Sequence, residues 1–170
     1  ADYYEDTILC YSYSKSLSLP GERIGYILVS PRAKSREDLF AAICGAGRSL
    51  GYVCAPSLLQ RVVAENQGAC ANFEIYARNR ELLLTNLQSF GYSFIKPEGA
   101  FYLFPNVKKA MKMKGYTDVT EFTTAILEEA EVALVTGAGF GAPENVRLSY
   151  ATDLDTLKEA VRRLKAFMEK

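Results

Sequence analysis

The first third of the chain has the hydrophobic pattern of two β-strands followed by a helix. Residues 7–13 and 23–30 are rich in β-branched and aromatic side chains, which favours extended backbone. Apolar positions then recur at helical spacing over residues 35–44, and Gly45 and Gly47 are expected to end that helix. The pattern therefore predicts a small β-structure with one helix packed after it.

An amphipathic helical pattern follows over residues 56–91. Pro56 suits a first helical turn, and Gly91 is a typical residue just beyond a helix end. Gly68 lies inside the pattern, so we expect the helix to be bent or broken there. A helix of this length, with different partners at its two ends, is suited to crossing between two domains.

Beyond residue 92 short strands alternate with helices, which is the pattern of a small α/β domain. The predicted strands are 93–95, 100–104, 132–135 and 146–150, and the predicted helices are 118–130 and 153–168. The last helix is well specified, because Thr152 and Asp155 form a capping box ahead of one continuous apolar face. The chain therefore divides into residues 1–55, 56–91 and 92–170.

The composition of the chain argues against binding to nucleic acid or to a membrane. The 170 residues carry 20 basic and 20 acidic side chains, and no basic block indicates binding to nucleic acid or to an anionic membrane. No apolar stretch approaches the roughly 20 residues that span a bilayer, and the acidic start does not resemble a targeting peptide. We therefore expect a soluble, cytoplasmic protein.

Histidine is absent from the chain. This excludes Ser-His and Cys-His nucleophile pairs and His-based metal centres, and it favours lysine as the group that moves protons. The four cysteines lie ten or more residues apart, without the paired spacing of a zinc site. We predict no metal site and interpret the cysteines as small buried hydrophobes.

The candidate chemistry lies between the first two predicted strands. Lys15 is surrounded by serine hydroxyls, and Arg23 follows eight residues later. A lysine amine can form a Schiff base with an aldehyde, while hydroxyls and a guanidinium hold a phosphate dianion. The run therefore has the composition of a cofactor cradle, although a solvated lysine and a strand-edge arginine remain the alternative interpretation.

A second candidate is Arg147, which interrupts an otherwise apolar predicted strand. A buried charge is costly unless it is paired. Arg147 is therefore either an edge-strand residue that faces water or a residue whose planar guanidinium binds a carboxylate through two N–H groups.

The run from Ser12 to Gly25 resembles the pattern around the active-site lysine of class I and II pyridoxal-phosphate-dependent aminotransferases of fold type I. In that pattern a serine precedes the lysine, and an arginine, a hydrophobic residue and a glycine follow it. The resemblance continues in order and spacing through residues 52–57, 97–102, 137–141 and 145–151. Among these enzymes the chain is most similar to the aspartate aminotransferase type.

The resemblance implies an α/β fold that is the C-terminal part of a fold type I transferase. Residues 1–55 would be a remnant of the large cofactor-binding domain and its sheet, residues 56–91 the long interdomain helix, and residues 92–170 the small C-terminal α/β domain. The ring-binding Asp and Tyr of the family precede the lysine by more residues than this chain contains. We therefore expect a fragment of a parent enzyme, inactive when isolated.

The resemblance also implies the site residues. Lys15 would form the Schiff base with pyridoxal 5′-phosphate and act as the catalytic base. Ser12, Ser14 and Arg23 would bind the cofactor phosphate, and Arg147 would bind the α-carboxylate of the substrate.

The implied function is transfer of an amino group between an α-amino acid and a 2-oxo acid in a homodimer. Aspartate is the favoured substrate by resemblance only. Two alternatives stay open, namely a pyridoxal-phosphate-dependent lyase or synthase on the same scaffold, and an inactive folded fragment.

Overall fold

The computed structural model describes residues 2–170, which form two compact units divided between residues 71 and 72. The first unit contains β1 Ile8–Ser12, α1 Tyr13–Ser16, β2 Gly25–Val29, α2 Arg36–Ser49 and α3 Ser57–Glu65. The second unit contains α4 Phe73–Leu87, β3 Tyr102–Leu103, α5 Lys108–Met113, α6 Val119–Ala130, β4 Val135–Thr136, β5 Val146–Ser149 and α7 Leu154–Glu169. Short 3-10 helices cover Gln88–Phe90 and Gly137–Phe140.

The first unit is built around a two-stranded antiparallel sheet. Strands β1 and β2 pair from Ile8 opposite Val29 to Ser12 opposite Gly25. Their apolar side chains are largely exposed, with Leu28 retaining 52% of its accessible surface. A sheet of two strands buries little apolar surface by itself. Within the described residues these faces are therefore left largely uncovered.

Helix α2 is longer than the sequence predicts, because it continues through both glycines to Ser49. Glycine disfavours a helix interior by about 1 kcal/mol relative to alanine, which is not enough to end it. At Gly47 the small residue has a structural reason, since an added Cβ would lie 3.1 Å from the Tyr52 carbonyl oxygen. The chain folds back there, and the Tyr52 amide donates to the Gly47 carbonyl at 2.8 Å.

The cysteine prediction is wrong in this structure. Cys10, Cys54 and Cys70 are exposed, and Cys44 is half-buried. Each lies in the first unit, where the sheet and helices leave much apolar surface uncovered.

The helical pattern over residues 56–91 gives two helices, α3 and α4, in place of one long helix. The expected break near Gly68 is confirmed, because Gly68 has a left-handed φ of +86°. Asn72 then begins α4, since its side-chain oxygen accepts from the Glu74 amide at 3.1 Å. The boundary between the two compact units falls at this break. The division into residues 1–55, 56–91 and 92–170 stays a prediction.

The second unit has a conventional hydrophobic core. Its antiparallel sheet has the order β3-β5-β4, and α4, α6 and α7 supply the apolar faces that complete the core. Phe122, Leu87 and Leu164 lose essentially all their accessible surface. This part of the chain thus has the predicted α/β fold with a small sheet.

Details of the second unit differ from the sequence prediction. Asp153, not Thr152, caps α7, because its carboxylate accepts from the Thr156 amide at 2.8 Å. The predicted strand at 93–95 is reduced to one bridge between Ser93 and Asn106. Helix α5 was not predicted, because six residues rich in lysine carry little periodic signal. Within residues 2–170 no helix is long and apolar enough to cross a bilayer.

Candidate functional site

Strand β1 leads directly into the one-turn helix α1, which carries Lys15. Ser12 is the N-cap, with extended backbone at φ −130° and ψ 133°. Its hydroxyl accepts from the Ser14 amide at 3.2 Å and donates to the Ser14 hydroxyl at 2.9 Å. Lys15 is half-buried. The structure therefore brings together the two predicted phosphate-binding hydroxyls, which precede the lysine by three residues and by one residue.

A close approach of the two strands brings β2 beside this turn. Gly25 lies opposite Ser12, and the Tyr13 amide donates to the Ile24 carbonyl at 3.1 Å. A Cβ on Gly25 would lie 2.3 Å from the Tyr11 carbonyl oxygen, a distance that excludes any side chain. Glycine is thus required where β2 passes the start of α1.

Arg23 lies two residues before Gly25, just ahead of β2, and is exposed. Its backbone has a φ of +53°, a left-handed conformation that is uncommon for a residue with a side chain. The Arg23 Nη1 donates to the Pro20 carbonyl at 2.8 Å. One backbone acceptor occupies only part of a guanidinium with its several N–H donors, so the group retains donors for an anion.

Ser16 carries a further hydroxyl of this turn, which the sequence pattern alone does not distinguish from its neighbours. Its hydroxyl is buried and has no hydrogen-bond partner within the described residues. A buried hydroxyl without a partner costs about 1–3 kcal/mol, which a bound polar group or water relieves. The position of Ser16 directly after Lys15 could have marked it as a candidate. The sequence does not show whether its hydroxyl is buried, and an exposed hydroxyl would bind water.

These groups form a donor set that fits a phosphorylated aldehyde. The amine of Lys15 suits the aldehyde, and the hydroxyls of Ser12 and Ser14 with the guanidinium of Arg23 suit the phosphate. The orphaned Ser16 hydroxyl adds a polar group beside the amine. The residues present therefore fit a cofactor of that kind.

Arg147 lies in the second unit, on the central strand β5. Its neighbours Val146 and Leu148 are buried in the core, so alternation places Arg147 on the opposite, more open face of the sheet. The side chain is half-buried. The edge-strand interpretation of Arg147 is thus wrong, because β3 and β4 flank β5 on its two sides.

Two aromatic rings lie against the Arg147 guanidinium. Its central carbon is 4.8 Å from the centre of the Tyr102 ring and 5.0 Å from the centre of the Phe140 ring. Within residues 2–170 the guanidinium has no ion pair and no hydrogen bond. Its faces are therefore covered by aromatic carbon, while its N–H donors remain available for a carboxylate.

The structure places the predicted residues in two groups. Lys15, Ser12, Ser14 and Arg23 belong to the first unit, and Arg147 belongs to the second. The aromatic partners of Arg147 could not be selected from the sequence, because they come from β3 and from the 3-10 helix after β4.

Comparison with known proteins gives a consistent result. The family "Aminotransferase class I and II" matches residues 1–164. The chain is 46% identical over 167 residues to an asparagine–oxo-acid transaminase of Streptococcus mutans, with 98% of this chain and 42% of that protein covered. It is 43% identical over 172 residues to an aspartate aminotransferase of Bacillus subtilis, with the same coverages.

Solved structures agree with these relatives. An amino transferase from Eubacterium rectale superposes with a TM-score of 0.80 at 43% identity, covering 99% of this chain and 40% of that one. An aspartate aminotransferase from Thermotoga maritima gives a TM-score of 0.76 at 29% identity, covering 96% and 40%. The chain thus spans about two fifths of the length of the proteins it matches.

Proposed function

Because the chain belongs to the class I and II aminotransferases, we propose that it contributes the cofactor-binding lysine and the substrate-binding arginine of an enzyme that moves an amino group from an α-amino acid to a 2-oxo acid. The observation that carries the proposal is the position of Lys15, directly after the linked hydroxyls of Ser12 and Ser14. No other lysine of the described residues follows such a pair.

Members of this family use pyridoxal 5′-phosphate. When bound, this group supplies an aldehyde that condenses with amines and a ring that accepts electrons. Ser12 and Ser14 would donate hydrogen bonds to its phosphate, and Arg23 would pair with the phosphate charge. The close approach of β1 and β2 at Gly25 supports this arrangement, because it fixes the backbone on both sides of the helical turn.

Lys15 would hold the aldehyde group through its Nζ atom, and the same atom would serve as the base that moves the reacting proton. In that role the Nζ atom would accept the proton of the substrate α-carbon and would later give a proton back. This role needs an amine that is held in place beside the reacting atoms. A half-buried lysine on a short helical turn supports it.

Arg147 orients the substrate. Its planar guanidinium can donate two parallel N–H bonds to the α-carboxylate, which fixes the direction of the α-carbon bonds. The absence of a protein carboxylate paired with Arg147 among the described residues supports this role.

We further propose aspartate or asparagine as the amino donor. The support is the naming of the relatives at 46% and 43% identity, an asparagine–oxo-acid transaminase and an aspartate aminotransferase. Steady-state assays of the full-length protein with aspartate, asparagine, alanine and phenylalanine, each with 2-oxoglutarate, test it. We expect the highest kcat/KM with one of the first two. A preference for phenylalanine would contradict the proposal.

A homodimer is the proposed assembly. The support is the family, whose members are typically dimers. Light scattering of the full-length protein measures its mass directly. The cytoplasmic location and the division into residues 1–55, 56–91 and 92–170 are likewise proposals.

The decisive experiment identifies the lysine that binds the cofactor. The full-length protein with pyridoxal 5′-phosphate is reduced with borohydride, digested and mapped by mass spectrometry. We expect a pyridoxyl group on Lys15 and none on Lys15→Ala. The matched control is Lys34→Ala, which removes an exposed lysine that pairs with Glu5 at 3.5 Å.

Two outcomes would overturn the proposal. Labelling of other lysines without Lys15 would show that the cradle does not bind the aldehyde. Labelling of Lys15 combined with β-elimination, and without amino transfer, would favour a lyase on the same scaffold.

A further inference from the structure

The sheet of the second unit presents a cluster of aromatic side chains around Arg147. Tyr102 is opposite Ser149 in the register of β3 and β5, and Arg147 lies two residues from Ser149 on the same face of β5. Phe140 reaches this face from the 3-10 helix that follows β4. Phe104 packs edge-on against Phe140, with ring centres 5.8 Å apart.

The 3-10 helix that carries Phe140 is anchored by hydrogen bonds. Gly137 is buried, and its amide donates to the Asn145 carbonyl at 2.7 Å. The Asn145 side chain in turn donates to the Phe104 carbonyl at 3.1 Å. Phe140 is therefore carried by a segment that is hydrogen-bonded to the residue before β5, and that residue is bonded in turn to the residue after β3, although Phe140 itself is 53% exposed.

A half-buried guanidinium beside aromatic rings, without an ion pair in the described residues, calls for a physical reason. Burial of a charge is costly unless other groups compensate it. The aromatic rings supply attraction through their negatively polarised faces, but they do not use the N–H donors. The ring contacts thus hold the guanidinium without occupying the atoms that bind an anion.

We propose that Tyr102 and Phe140 are positioning residues that hold the Arg147 guanidinium ready for a carboxylate. This inference rests on the proposed function, in which Arg147 binds the substrate carboxylate. The rings restrict rotation of the long side chain before binding, so less conformational entropy is lost when the carboxylate arrives. They also exclude water from the guanidinium faces, which strengthens its hydrogen bonds to an anion.

The proposal predicts that ring removal weakens carboxylate binding without affecting cofactor attachment. The probe is succinate, a dicarboxylate without an amino group, titrated calorimetrically into the full-length protein. We expect Phe140→Leu and Tyr102→Leu each to raise the Kd about tenfold, and Phe140→Tyr and Tyr102→Phe to restore most of the affinity, because the aromatic face returns. Arg147→Lys should abolish measurable binding.

The matched control is Phe73→Leu, which removes an aromatic ring of nearly equal exposure, 52%, at the start of α4. We expect no change in its succinate affinity. Circular dichroism establishes that each variant is folded, and the exposed position of Phe140 makes its variant the safer one if Tyr102→Leu does not fold.

The same samples are reduced with borohydride in the presence of pyridoxal 5′-phosphate, and the pyridoxyl content of Lys15 is measured. Unchanged labelling together with weaker succinate binding supports the positioning role. Wild-type affinity in Phe140→Leu, equal loss in Phe73→Leu, or no succinate binding by the wild type would overturn it. Absence of the Lys15 label with the predicted succinate pattern would refute the proposed function alone.

Discussion

Asn79 offers the sharpest test of how the second unit holds the strand that carries Arg147. It is fully buried on α4, and its Nδ2 donates to the Tyr150 carbonyl at 3.0 Å and to the Thr152 carbonyl at 2.8 Å. These carbonyls lie just beyond the end of β5. The two hydrogen bonds therefore attach the exit of the central strand to a core helix.

Substitution of Asn79 by alanine leaves both carbonyls without their donor. At roughly 1.5 kcal/mol for each unsatisfied buried group, the loss is about 3 kcal/mol. Removal of the Asn79 Oδ1, which is buried and has no partner in the described residues, returns a part of this. We expect a net loss of roughly 2–3 kcal/mol in the free energy of unfolding of this unit.

Urea unfolding of the full-length protein, followed by circular dichroism, measures the change. With an m-value of about 2 kcal/mol per molar urea, the midpoint should fall by roughly 1 M or more. Amide hydrogen exchange in α4 and β5 reports on this unit separately from the rest of the protein.

The matched control is Asn86→Ala on the same helix. The Asn86 Nδ2 donates only to the Leu82 carbonyl within α4, at 2.8 Å. Alanine is a better helix former than asparagine, so we expect a change of less than about 0.5 kcal/mol. A loss below about 1 kcal/mol for Asn79→Ala, or an equal loss in both variants, would refute the reasoning.

Two further predictions concern the 3-10 helix and the last helix. Gly137→Ala places a Cβ 2.3 Å from the Ala142 carbonyl oxygen, so it should lower the free energy of unfolding by about 1–3 kcal/mol in a urea titration. The control is Gly139→Ala, where no atom lies within 4 Å of the added Cβ and the free energy of unfolding should change little. Hydrogen bonds from arginines of α7, chiefly Arg162, lower the pKa of Glu159 from 4.5 to about 2. The ionised Glu159 therefore contributes fully to the stability of the folded protein above pH 4.5, and this contribution is lost as the pH falls through 2. NMR titration of the Glu159 carboxyl carbon checks this, and a pKa near 4.5 would contradict it.

The candidate residues of the first unit could be proposed from the sequence because they lie in one local run. Ser12, Ser14, Lys15 and Arg23 fall within twelve residues, and the strands that flank them have a clear β pattern. The left-handed backbone of Arg23 and its bond to Pro20 could not be predicted, because they depend on how the turn closes.

The helix ends show the same division in smaller detail. A capping box at Thr152 and Asp155 matched the local rule, yet Asp153 makes the bond, because the conformation of one residue decides which side chain reaches the Thr156 amide. Gly45 and Gly47 resembled a helix end, but the cost of glycine was smaller than the gain from continuing α2.

Residue order and periodicity along the chain were enough to predict the family and the α/β class, and to propose Lys15 as the cofactor-binding lysine. The position of Arg147 on a central strand and the rings that lie against it depend on tertiary contacts, because Tyr102 and Phe140 are distant in sequence and meet Arg147 through the fold of the sheet. Burial was likewise decided by packing, as the exposed cysteines and the orphaned hydroxyl of Ser16 demonstrate. Local patterns record what each segment favours, whereas contact and solvent exclusion depend on which segments the fold brings together.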